Sequence, residues 1–410
     1  MIPSQFQQYQ TTLHILSPIH IGTGEELDPF SYVIKEDILH FIDLSKWMDT
    51  YPDKEALHRI MDSDNFSFVR LYIQQHIDLT TCTIKTIPIK SQKLLDTYEK
   101  AMKEQKSQNQ LLINPMTRND INKIAFIPGS SIKGAMRTAI ANAFVDKARV
   151  SSNDAFGRNN YNRKIFGPPN KDPMKNVKVS DISLNETSTY IFEAQEMSNN
   201  PDKSLTPKGF LEATISEITS DHMAHYPLKV MISPFELYHT QVDVHFIIDT
   251  LNQFYIPKFF HDEDEFYRHS MPKIGQIAFL KIKDRVHNMS PNEALIRVGH
   301  FSHIECMTLD HVRKPRTKRG KDGKPLPWGT TRTLANGLFP FGWAIIEFEG
   351  VQHTPRVKDY ITTASPKNDN QSYKKSTHKH THKKKYKGPQ KDSHSKPATI
   401  EDLMNKFNQR

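Results

Sequence analysis

Between Thr11 and Leu16 apolar side chains partly alternate with polar ones, the pattern of a half-buried strand. Two further apolar runs, at 31–35 and 38–42, are separated only by Glu36 and Asp37, which is the spacing of a β-hairpin. Helical spacing follows at 44–61 and 66–76, and alternation returns at 82–89. Ala125-Phe126-Ile127 reads as a short strand leading through Pro128-Gly129-Ser130-Ser131 into an amphipathic helix at 132–147. Residues 151–178, rich in Asn, Gly, Pro and Lys, predict a long loop. Strand patterning resumes at 177–181, 189–194 and 210–215, and Val244, Ile247, Ile248 and Leu251 place a helix within 241–254. A strand at 294–296, a basic loop at 313–328 and a last strand at 343–348 close the body. Hairpin, strand–helix units and long loops in this mixture predict an α+β fold. A boundary at 175/176 divides it into units 1–175 and 176–353, each the size of one ferredoxin-like domain.

Composition changes the picture at the C-terminal end. Residues 362–397 are dominated by Lys, His, Ser, Thr, Asn, Gln and Pro, with too little apolar surface to offset the entropy of ordering them. A disordered basic tail at 354–410 is expected, ending in a short amphipathic helix that places Ile400, Leu403, Met404 and Phe407 on one face. The tail carries fourteen Lys and Arg against five Asp and Glu, which is the whole of the chain's +9; the remaining residues balance at forty-one of each sign. Net charge therefore argues for a basic appendage and not for a basic binding face. With two cysteines in 410 residues there is no disulfide framework, and no apolar run or leader pattern predicts a membrane contact. A cytoplasmic protein is expected.

Four local patterns carry candidate chemistry. Leu16-Ser17-Pro18-Ile19-His20-Ile21-Gly22-Thr23-Gly24 is a loop whose glycines expose backbone N–H groups to an anion, with Ser17, His20 and Thr23 as further donors. A hairpin turn needing positive φ explains the same glycines. Gly129-Ser130-Ser131-Ile132-Lys133-Gly134-Ala135-Met136-Arg137 opens a helix with free N–H groups and hydroxyls, and puts Lys133 and Arg137 at i and i+4. Ala135 and Met136 stand where a nucleotide-binding P-loop requires Lys and Ser or Thr, so nucleotide hydrolysis is not expected. His300, His303 and Cys306 have a spacing open to metal binding, but spacing alone specifies neither a fourth ligand nor tetrahedral geometry; no metal or cofactor is expected. Trp328-Gly329-Thr330-Thr331-Arg332 and Pro340-Phe341-Gly342-Trp343 combine aromatics, glycine and Arg as RNA-stacking loops do, and as core turns do. No paired carboxylates and no Ser-His-Asp or Cys-His unit stand out as catalytic.

Taken in order, the loop at 16–24, the block at 127–137, Ile165-Phe166-Gly167 and Val179-Ser180-Asp181 resemble the RAMP superfamily of CRISPR-associated proteins. Within it, Ser233-Pro234-Phe235-Glu236-Leu237, Arg297-Val298-Gly299 and Pro340-Phe341-Gly342-Trp343 are similar to the family of fifth Csm subunits of type III-A effector complexes. The resemblance covers roughly residues 10–350. It implies two ferredoxin-like, RRM-like domains with inserted helices and loops, at the end of a backbone filament of other Csm subunits. It implies binding to the 3′ part of the guide crRNA and support of its maturation, with trimming nucleases as further partners and no cutting by the chain itself. Carried onto these positions, Gly129, Ser130, Ser131, Lys133, Gly134 and Arg137 would meet RNA phosphates, with Ser17, His20, Gly22, Gly24, Arg297, Gly299 and Arg332 nearby. Here Gly299 is followed by His300-Phe301-Ser302-His303-Ile304-Glu305, where the family is richer in glycine and carries a basic residue. A metal-independent endoribonuclease using His20 and Lys133 as acid and base is the alternative.

Overall fold

The computed structural model describes residues 5–62, 65–104, 111–155, 160–216, 224–310, 312, 328–352, 355 and 357–362. The His/Lys run of the tail, the helix expected at 399–407 and the basic loop at 313–327 lie outside these residues.

Six elements form the frame that positions the site: β1 (Gln7–Ile15), α1 (Gly129–Ala143), β2 (Val177–Val179), β3 (His225–Ile232), α2 (Val244–Asp262) and β4 (Trp343–Phe348). Their sheet is antiparallel throughout and runs β4-β1-β3-β2, with Glu293–Arg297 added outside β4. In chain order this is strand, helix, two strands, helix, strand, the ferredoxin-like arrangement. Tyr9, Thr11, Leu13 and Ile15 of β1 are buried at every second position, and Tyr226, Leu228, Val230 and Ile232 repeat the alternation on β3. The division expected at 175/176 does not follow this sheet. β1 lies between β3 and β4, so the first strand of the chain has both its neighbours in the second half.

α1 buries Ile132, Ala135, Met136, Ala139 and Ile140, a stripe at helical spacing whose alanines let the helix approach α2 closely. α2 is apolar almost all round and correspondingly buried, and Tyr255 on it donates to the Ala135 carbonyl at 3.2 Å. Pro257 sits inside α2.

A second five-stranded sheet, Phe339–Pro340, Thr331–Ala335, Thr189–Ser198, Thr206–Thr214 and Ile113–Asn114 in that order, is inserted around this frame; only its last pair is parallel. A third unit holds the expected hairpin, Tyr32–Lys35 with Ile38–Ile42, against Thr83–Pro88. The helix predicted at 44–61 is two helices, Leu44–Thr50 and Lys54–Met61. Pro52 forces Tyr51 into an extended conformation and Asp53 caps the second helix through the Ala56 N–H. Residues 151–155 and 160–176 are loop broken by short turns and the helix Tyr161–Phe166, and Val177 already opens β2. No described helix is long and apolar enough to cross a membrane.

Candidate nucleic-acid interface

The loop that leaves β1 is tied down residue by residue. Leu16 and Ser17 donate their N–H groups to the Trp343 carbonyl, and the Trp343 N–H returns to Ser17 Oγ at 2.9 Å. Ser17 is thus a buried fastener between β1 and β4, out of reach of a ligand. Ile19 exchanges hydrogen bonds with Thr214, and Gly342 donates to the Pro18 carbonyl. His300 donates its N–H to the His20 carbonyl, and Val298 donates to that of Gly342. Three segments, 17–22, 297–300 and 340–343, are therefore laced into one layer. Two glycines make this possible: at Gly299 (φ +94°) a Cβ would lie 2.6 Å from the His20 carbonyl oxygen, and at Gly342 (φ +91°) 2.4 Å from that of Val298. The late motifs of the sequence are in this respect packing motifs.

The two arginines expected at the interface are interior. Arg297 and Arg332 are both almost fully buried and converge on Asp262 at the end of α2. Arg297 donates to Asp262 Oδ2 at 2.9 Å and to the Phe341 carbonyl, while Arg332 reaches Asp262 Oδ1 at 2.6 Å and Glu305 at 3.1 Å. Their planes lie over the rings of Trp343 and Phe266. Burial alone would raise the pKa of Asp262, but Arg332 and then Arg297 hold its carboxyl below the ordinary range. Two cations and two anions make the cluster neutral, so the chain's own carboxylates occupy guanidinium groups that sequence reading offered to RNA. His303 packs beside them and accepts from the Thr333 N–H at 3.3 Å. Burial, with the two arginines, drives its pKa far down and keeps it uncharged. Cys306 is buried as well.

At the start of α1, Gly129 donates to Asp181 at 2.7 Å, and a Cβ there would lie 2.3 Å from the Val179 carbonyl oxygen. Glycine at this position lets the helix end meet β2, and Asp181 already caps part of its positive end. Lys133 and Arg137 do share a face, but it is the face toward 162–178. Arg137 binds Asp172 at 2.8 Å and Asn162 at 2.9 Å, over the ring of Phe166. Burial lowers the Lys133 pKa, as do Arg137 and Lys178, with Asp172 opposing.

The next face of the same helix is open. Ser131, Gly134, Ala135 and Thr138 line a cavity of about 420 Å³, whose other walls include Gly22, Arg297, Val298, Gly299, His300 and Ser302. A second cavity, of about 510 Å³, adjoins it along Gly22, His300 and Met307 and extends over the inserted sheet past His20, Gly24, Gly209 and Phe301. Lys133 lines neither. The structure therefore brings together Gly22, Ser131, Gly134 and Gly299 from three of the four motifs, with the almost fully buried Arg297 behind them at the cavity wall, and takes Ser17 and Arg332 into the interior. Gly134 is exposed on the helix, and a Cβ there would meet nothing within 4 Å. A mid-helix glycine costs about 1 kcal/mol relative to Ala, and no contact among the described residues requires it.

The RAMP superfamily profile matches residues 12–298. The chain belongs to the RAMP superfamily. It is 30% identical over 193 residues to the CRISPR system protein Csm5 of Methanocaldococcus jannaschii, an alignment spanning 43% of this chain and 43% of that relative. Among solved structures it is similar to a chain of a Csm–crRNA–target RNA ternary complex of a type III-A CRISPR-Cas system, at 19% identity over 83% of this RAMP protein and 100% of that chain, with a TM-score of 0.57. It is also similar to the crystal structure of T. onnurineus Csm5, at 18% identity, 82% and 99% coverage and a TM-score of 0.53. These two likenesses bear on the fold, which they share with the RAMP frame described above.

Proposed function

We propose that this RAMP protein is the Csm5-type subunit of a type III-A CRISPR effector complex. In this reading it holds the 3′ part of the guide crRNA at the end of the backbone filament, beside other Csm subunits, and supports crRNA maturation with trimming nucleases, without cutting RNA. Gly134 carries the reading: a glycine that packing among the described residues does not need, facing a groove, leaves room for a ligand backbone to approach the helix. Ser131 offers a hydroxyl along the same groove, those of Thr138 and Ser302 donate to the Gly134 and Gly299 carbonyls, and Ser130 and Lys133 stand on the adjoining turn. RNA contact is assigned to this face of α1, to Gly22 and to the 299–302 turn, while Arg137, Arg297 and Arg332 act as supports.

The decisive variant is Gly134→Glu, which replaces a poor helix former by a good one, adds a Cβ that meets no described atom within 4 Å, and places a carboxylate in the groove. Guide-RNA affinity falls by at least about tenfold, through like-charge repulsion, while the melting temperature holds or rises. Unchanged affinity in a folded variant rejects the groove. Incubation with repeat RNA in EDTA addresses catalysis: RNA stays intact, and His20-dependent cleavage would establish the nuclease alternative instead.

A further inference from the structure

His20 is fixed at one end only. Its Nδ1 lies 2.6 Å from the Glu212 carbonyl oxygen, which can only accept, so Nδ1 carries the proton and Nε2 presents a lone pair. Burial, and to a smaller extent His300, lowers the ring's pKa against the effect of the Glu212 hydrogen bond, so the imidazole stays neutral near pH 7. No described donor is bonded to Nε2. The space in front of it is kept open by Gly22, where a Cβ would lie 3.0 Å from Nε2.

This lone pair borders the 510 Å³ cavity, near the seam with the smaller groove that Gly22, His300 and Met307 share. Two further walls are glycines at positive φ, Gly24 (+90°) and Gly209 (+120°), and a Cβ at either would meet nothing within 4 Å. Aromatic surface is at hand. His300 is exposed and stands edge-on to His20 at 6.1 Å between ring centres and to Phe301 at 4.6 Å, and Phe301 leans on Phe341. An acceptor at the seam, a mixed wall beyond it, apolar at Phe210, Leu211 and Phe301 and polar at Asn114, Glu196 and Lys208, and open backbone around both fit a nucleoside turned out of its strand. The ribose, which stays close to the strand's backbone, reaches the seam, and the base goes deeper.

We infer that this cavity takes one unstacked ribonucleoside and that Nε2 of His20 accepts a hydrogen bond from its 2′-hydroxyl, which makes His20 the residue that distinguishes RNA from DNA. The inference rests on the RNA-holding role proposed above. No bond is made or broken: the hydroxyl donates its hydrogen and keeps it.

The test uses the full chain, a fluorescein-labelled single-stranded RNA and its deoxyribose counterpart of the same sequence, read by anisotropy at fixed salt. The wild-type chain binds the RNA about tenfold more tightly than the DNA, the scale of one hydrogen bond and the desolvation it avoids. His20→Asn keeps a side-chain N–H where Nδ1 was and deletes the Nε2 acceptor; its RNA affinity falls to the DNA level, with DNA affinity and melting temperature unchanged. A second readout leaves the protein untouched: moving a single 2′-deoxy substitution along the RNA finds one position that weakens binding at least about fivefold. Equal binding of RNA and DNA by the wild-type chain, a His20→Asn variant that keeps the preference, or a flat deoxy profile each overturns the inference. None of these touches the RNA-holding role, which fails on a different result, RNA affinity insensitive to Gly134→Glu.

Discussion

Around Asp262 two guanidinium groups are sealed under Trp343 and Phe266 and matched by carboxylates. One helix away, around Gly134, the chain leaves an open surface with a missing side chain at its centre. Residue type points the wrong way at both places. Arginine is the residue chosen for phosphate contacts, yet here it welds α2 to Glu293–Arg297 and Thr331–Ala335. Glycine in a helix counts as a defect, yet it is the residue that opens the groove. What separates them is partnering. A buried charge already has its counter-charge inside the fold, whereas a position with no neighbour is free for one from outside.

The comparison breaks most visibly at Asp262. Asp262→Asn leaves Arg297 and Arg332 without their common counter-ion and destabilises the chain by about 3–5 kcal/mol, measured by urea unfolding. A loss within the range of ordinary surface substitutions would mean that the pair is not held by charge. Gly134→Glu is the opposite case, at least about tenfold weaker RNA binding at equal or greater stability. Measuring both variants in both assays shows whether the two regions are separable.

Acid acts on the buried side first. His303 and His20 are both depressed below their ordinary value of 6.5, so below that pH the unfolded chain binds protons that the folded chain refuses, and stability falls as pH falls. Between pH 6.5 and 5.5 His303 alone accounts for about 1 kcal/mol, and His303→Gln flattens that part of the curve. A stability profile level from pH 7 to 5.5 contradicts the neutral burial of these rings. The smallest effect belongs to Lys133. Lys133→Ala reduces the slope of log affinity against log salt by roughly 0.7, one phosphate's worth, without moving the Asp262 cluster. An unchanged slope takes Lys133 out of the interface.

Local features of the fold are legible in the sequence because they depend on near neighbours. The Glu36-Asp37 hairpin, the helix opened by Gly129 and the strand at 343–348 fall where pattern and turn chemistry put them. The alternation of Tyr226, Leu228, Val230 and Ile232 on β3 is equally regular, and the helices Gln92–Glu104 and Lys273–His287 show ordinary amphipathic spacing, signals of the same local kind. Pairing was not available. Nothing in Thr11–Ile15 says that its partners are Leu228 and Phe348 rather than a strand nearby, because alternation specifies a face and not a neighbour. The same limit governs the site. The glycine-bearing loops were identifiable as places of close backbone approach, but whether the approaching group is another loop, as at Gly299 and Gly342, or open space, as at Gly134, is decided by packing across the whole chain. Asp181, which holds the start of α1, lies in the Val179-Ser180-Asp181 motif, but its part as a cap is visible only in the fold, and Asp172 and Asn162, which hold Arg137, carried no signal beyond proximity to a motif.

The placement of β1 between β3 and β4 also sets a timetable for biosynthesis. The first strand leaves the ribosome long before residues 343–348 are made, roughly tens of seconds at ordinary elongation rates. Throughout that interval the edge that will receive β4 is bare, and Leu13 and Ile15, fully buried in the finished fold, have no lid. The nascent chain therefore carries β1 without a full set of partners through most of its own translation, and a ribosome that stops short of residue 343 releases a protein whose central strand has lost one of its two neighbours.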